Sequence, residues 1–127
     1  MNPGFYVDES YYQAGRTVID LVYTSGATGA IPSPLGAVNY GVTSVTRTGT
    51  GALTIVFDGQ WFGLLNYSLP VHQASYSKSG ACHGEIAGVT ASTRTILVQL
   101  VDAAGDATDS TTGDIVHMTF EFQRYGN

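Results

Sequence analysis

The chain has one lysine, Lys78, and one cysteine, Cys82, in 127 residues. Five Lys+Arg against ten Asp+Glu give a net charge of −5. No basic stripe is left to neutralise phosphates, so no nucleic-acid partner is expected. A single cysteine excludes an intrachain disulfide, and no covalent scaffold can hold the fold. Long apolar runs are missing too. Nothing approaches the roughly 20 residues of a membrane-spanning helix, and MNPGFYVDES has neither the basic start nor the apolar stretch of a secretion signal. The expectation is a soluble product made in the cytoplasm, with no membrane partner. Charge of either sign is scarce, at 12% of residues against about a quarter in ordinary soluble domains. Much of the surface must then be Thr, Ser, Gly, Tyr and Ala. Such a surface suits a protein built into an assembly, although a small β-domain with a polar, uncharged exterior has the same composition.

What is present favours strands. Val, Leu, Ile and Phe supply 31 residues, enough for one core, and 15 Thr, 12 Val and 8 Tyr prefer extended backbone while 16 Gly supply turns. The clearest stretch is Tyr40 to Val71, with three β-like runs and two turns. Thr48-Gly49-Thr50-Gly51 separates GVTSVTR from ALTIVF with permissive glycines. Asp58-Gly59 then separates ALTIVF from QWFGLL, and Asp-Gly suits a two-residue hairpin turn with positive φ. That turn would place Ile55 opposite Phe62 and Leu53 opposite Leu64, completing a three-stranded meander.

Residues 1–39 read as an extended N-terminal arm and residues 40–127 as an antiparallel β-domain. Pro3, Gly4, Pro32, Pro34 and Gly36 punctuate the arm, and Thr17 to Tyr23 offers one short strand with Ile19, Leu21 and Tyr23 on one side. Phe5, Tyr6, Tyr11, Tyr12 and Ile31 are the residues such an arm would press onto a neighbouring subunit, because aromatics anchor interfaces with little loss of entropy. The alternative is an arm folded on its own domain. Beyond Pro70 the stretch HQASYSKSGACHGEIAG reads as loop, with a weak strand over 85–90. Period-two alternation predicts a central strand over 94–102. It predicts a closing strand over 115–124 with Val116, Met118, Phe120 and Phe122 inward. Short strands separated by frequent turns imply an all-β fold, an antiparallel β-sandwich or small barrel.

Candidate chemistry is thin. Asp102, Asp106, Asp109 and Asp114 could present hard oxygens to Ca²⁺, but they lack the order of an EF-hand loop, and Asp-rich turns usually cap their own backbone. Cys82 and His83 with His72 and His117 lack zinc spacing, and adjacent strand residues point to opposite faces. Neither an orienting third group nor an oxyanion loop accompanies them as a nucleophile pair. No catalytic residue, metal or cofactor is expected. Trp61 with the tyrosines could stack on sugar faces, which keeps a carbohydrate-binding sandwich as an alternative; packing on the sheet is the plainer role for Trp61.

Two stretches carry a resemblance: GVTSVTRTGTGALTIVFDG at 41–59 and VQLVDAAGDATDSTTGDIVHMTFEF at 98–122. They resemble small β-rich structural proteins of tailed bacteriophages, in which a V-x-S-V-T-R-x-G-x-G hairpin precedes an apolar strand and a D-x-x-G-x-A-x-D-x-x-x-G-D-x-V turn precedes the last strand. About half of the chain is covered, and residues 1–38 and 72–92 are not. The resemblance implies a virion component on the capsid surface, a decoration or cement protein that bridges neighbouring capsomers. The major capsid protein would be its partner and a homotrimer its assembly. Phe5, Tyr6, Tyr11, Tyr12, Ile31 and Trp61 are the expected interface residues. A tail or head-to-tail connector component is the alternative within the same class of protein.

Overall fold

The computed structural model describes residues 16–36, 39–59, 63–74 and 82–123. Among the described residues eight strands run in chain order: β1 (Arg16–Thr24), β2 (Val42–Gly49), β3 (Ala52–Phe57), β4 (Gly63–Ser68), β5 (Val71–His72), β6 (Cys82–Thr90), β7 (Thr95–Asp102) and β8 (Ile115–Gln123). They form two antiparallel sheets packed as a sandwich. One has the order β1-β8-β4, with β5 also pairing β8, and the other has the order β2-β3-β7-β6.

Alternation along β8 builds one inner face. Val116, Met118, Phe120 and Phe122 are all buried, while His117, Thr119, Glu121 and Gln123 between them are half-buried on the outer side. Ile96, Val98 and Leu100 of β7 and Leu53, Ile55 and Phe57 of β3 supply the opposing face. Phe57 joins the two layers edge-on, with its ring centre 5.2 Å from that of Phe120 and 4.9 Å from that of Phe122. Edge-to-face geometry sets the positive rim of one ring against the negative face of the next.

The expected strand within residues 1–39 is β1, and it is a full member of the sandwich. It pairs with β8 residue for residue from Arg16↔Gln123 to Thr24↔Ile115, and Leu21 and Tyr23 lie in the core. A boundary after residue 39 therefore does not follow the edge of the core. Of the rest of the expected arm, residues 25–36 and Asn39 lie against the chain's own sandwich, where Ile31 and Leu35 pack on the core, and residues 1–15 lie outside the described residues. The loop expected through 72–88 is also shorter than its composition implied, because β6 starts at Cys82.

The expected meander is half right. Residues 48–51 turn β2 into β3, as expected, but β3 and β4 do not pair. Leu53 lies opposite Arg47 and Val98, and Leu64 lies opposite Phe122 in the other sheet. Both sides of β3 are taken, by β2 and β7, so the next strand must cross the sandwich. Asp58 closes onto β2 instead. Its N–H donates to the Gly41 carbonyl at 2.9 Å, and its carboxylate accepts from the Thr43 hydroxyl. Gly59 is not among the positive-φ glycines, so the two-residue turn that would have required it is not formed. Phe62, the expected partner of Ile55, lies outside the described residues.

The two long sides of the sandwich differ. On one, the Gly84 N–H donates to the Leu69 carbonyl at 2.8 Å and Pro70 bridges His83, which ties the sheets together. On the other, β1 and β2 are edge strands among the described residues, and residues 25–36 and 39–41 lie on the connection between them.

Candidate functional site

The open side is built from the connection between β1 and β2. Asn39, buried, fastens that connection to the edge of β1. Its side-chain oxygen accepts from the Val22 N–H at 2.7 Å, and its amide nitrogen donates to the carbonyls of Val22 and Leu35 at 2.9 and 3.2 Å. One side chain thus mimics a passing strand for a single residue. Gly41, at φ +90°, continues close against Ile19, where a Cβ would stand 3.0 Å from the Cδ1.

Beyond this clamp lies a groove of about 580 Å³. One wall is Ile31-Pro32-Ser33-Pro34-Leu35-Gly36 and another is Val42 to Val45 of β2. Four consecutive residues of β2 line it, across a register shift between Val42 and Ser44 that breaks the strict alternation of the strand. Ile31, Leu35, Val42 and Val45 pack partly buried against the core and make its floor apolar. No charged side chain lines it among the described residues.

A smaller depression of about 230 Å³ lies on the outside of the other sheet, bounded by Val18, Tyr67, Thr119 and Glu121. Val18 and Tyr67 are exposed there. Polar contacts surround them, with Thr119 donating to Asp20 at 2.7 Å and Arg16 standing 3.5 Å from Glu121.

The carboxylates of residues 102–114 are occupied with the fold itself. Asp102 accepts the N–H groups of Ala104 and Asp106 at 2.9 and 3.0 Å, a tight turn closed on its own backbone. Asp109 takes both arms of the Arg47 guanidinium, at 2.9 and 2.8 Å, and the Gly51 N–H at 2.7 Å. The Arg47 hydrogen bonds hold its carboxyl below the usual carboxylate range against a smaller opposing effect of burial. Asp114 is buried, which works to raise its pKa. The N–H groups of Thr111 and Ala74 and the Thr111 hydroxyl, at 2.9 to 3.0 Å, together outweigh that and leave it low. Among the described residues no three His, Cys, Asp or Glu side chains converge as metal ligands would.

Cys82 and His83 do point to opposite sides. Cys82 is buried, and burial, with the Asp114 carboxylate adding to it, pushes its thiol up, which makes it a poor nucleophile. His83 is exposed 3.6 Å from Glu85. His72 and His117 stand with ring centres 6.1 Å apart, and His117 is 3.9 Å from Asp20. The Tyr23 hydroxyl is buried and has no hydrogen-bond partner among the described residues; desolvation, with Cys82 second, pushes its pKa far above the ordinary value.

Of the six expected interface residues, Ile31 alone lies within the described structure, and it lines the groove. Phe5, Tyr6, Tyr11, Tyr12 and Trp61 lie outside the described residues. Sequence reading missed Asn39 and the groove itself. The alternating prolines at 32 and 34 were its only local signal. No protein-family model, curated protein or solved structure matches this chain.

Proposed function

We propose that this chain is a bacteriophage virion structural protein, a decoration protein that stabilises a capsid shell by bridging neighbouring capsomers. It acts as a homo-oligomer, by analogy a trimer, and carries no catalysis in this reading. One observation supports it above the others. The two stretches that carry the family resemblance are a single interlocked unit, joined where Asp109 of the second binds Arg47 and the Gly51 N–H of the first. The two stretches then form one architectural joint, as expected for a protein whose work is to be a stable brick. The scarcity of charge and the exposed Tyr40, Leu65, Tyr67 and Leu97 fit a surface that meets other protein.

Co-sedimentation tests the reading. Purified chain mixed with shells of its source phage that lack it should pellet at a fixed stoichiometry per capsomer and raise the temperature at which the shells open. Chain that stays in the supernatant, with shells no more heat-resistant than before, refutes it.

A further inference from the structure

We propose that the groove along β2 is a strand-acceptor site, filled by the N-terminal segment of a second copy of this chain. The inference rests on the oligomeric reading above and names its fastening.

β2 has β3 on one side, and among the described residues no strand pairs with the other. An edge strand turns the N–H and C=O groups of every second residue outward, and those groups form a template for another chain. Val42 to Val45 line the groove, with the Val42 N–H already donating to the Asn39 carbonyl at 3.3 Å, so the residues after it are the ones an added strand would meet. The facing wall cannot pair with it as a strand, because Pro32 and Pro34 have no N–H to give. The wall thus holds a space open beside the edge. An extended peptide entering it would gain main-chain hydrogen bonds from β2 and apolar contact from Ile31, Leu35, Val42 and Val45, the combination that drives recognition by strand addition. Tyr40, between Asn39 and Gly41, is 82% exposed and offers an aromatic surface beside the groove.

The sequence ahead of β1 supplies the occupant. Fifteen residues precede β1, about 50 Å when extended. Asp8 and Glu9 divide them into two stretches without charged side chains, 1–7 and 10–15, each compatible with a groove that no charged side chain lines among the described residues; the first is the more apolar, with Phe5, Tyr6 and Val7 in succession, and stands farther from β1. β1 passes near its own groove, since Ile19 lies close to Gly41, which stands in sequence between the groove-lining Asn39 and Val42. The apolar triple lies nine or more residues before β1, about 30 Å along an extended chain, and so is placed to reach past its own groove to a neighbour's.

Photocross-linking of the full-length chain decides the matter. Tyr6 is replaced with p-benzoylphenylalanine (Tyr6→p-benzoylphenylalanine), and ¹⁵N-labelled and unlabelled chains are mixed before irradiation. Cross-linked peptides should join position 6 to the 31–45 region in mixed heavy-light pairs. Ser44→Lys, with an unchanged circular dichroism spectrum, should weaken self-association tenfold or more. If light scattering shows an oligomer but the cross-links fall on the outer face near Val18 and Tyr67, or join position 6 only to its own chain, the groove assignment fails and the oligomer stands. A chain that is monomeric at every concentration overturns both. Should Ser44→Lys fail to fold, the cross-link map alone decides between the groove and the outer face.

Discussion

At φ +65° and with the Leu100 carbonyl 2.7 Å and the Thr108 carbonyl closer still to where a Cβ would stand, Gly51 is fixed by two independent constraints. A side chain here meets both a backbone conformation that L-residues resist and two carbonyl oxygens of rigid neighbours. Gly51→Ala should therefore destabilise by about 2 kcal/mol or more, read from urea midpoints; a change within about 0.5 kcal/mol would show that the β2–β3 turn can move away from residues 100–108. Asp109, on the same joint, gives a pH signature. Asp109 and Asp114 both titrate below the ordinary carboxylate value of about 3.9, so the folded chain holds fewer protons than the unfolded chain around that pH. Their stabilisation is complete above about pH 4 and is lost as the pH falls through their depressed folded values. Melting temperatures followed from about pH 6 to about pH 2 should drop below pH 4, and Asp109→Asn should flatten that drop. An equally steep acid limb in the variant would assign the loss to other carboxylates.

At the scale of elements, β1, β7 and β8 were legible because each alternates cleanly and buries one face, so the pattern that marks the strand also marks its inner side. The β2–β3 turn was legible for the same local reason. The β3–β4 crossing was not, because whether β3 has a free side depends on β7, some forty residues later in the chain, and Asp-Gly signals a turn without specifying which sheet the next strand joins. The groove was illegible on similar grounds: Pro32 and Pro34 announce a loop, but only the sheet order shows that β2 has an edge beside it that no strand among the described residues pairs. Two substitutions separate these readings. Gly59→Ala should change stability by less than about 0.5 kcal/mol, since Gly59 has no positive φ and no described residue lies within 4 Å of its would-be Cβ; a loss above about 1 kcal/mol would revive a strained hairpin at 58–59. Asn39→Ala strands the Val22 N–H at a part-buried site and should cost about 1 to 3 kcal/mol. Hydrogen exchange at Val22 is the direct check, with loss of its protection expected and retention contradicting the clamp.

For the whole molecule, the sandwich needs β1. Removing residues 1–30 takes away a nine-residue strand pairing with β8 and two core side chains, Leu21 and Tyr23, so such a chain should lose its near-ultraviolet circular dichroism and its cooperative melt. Removing residues 1–15 spares every core residue among the described ones, and that shorter cut should leave the melt cooperative while abolishing self-association in light scattering. An oligomer that survives the shorter cut would move the interface to the sheet faces. The place of this chain in a particle tests the central claim most directly. Electron microscopy of virions from the source should show eight-stranded sandwiches on the outside of the shell, repeated at its symmetry positions and touching more than one capsomer. Virions whose density and protein content both lack the chain would contradict the account.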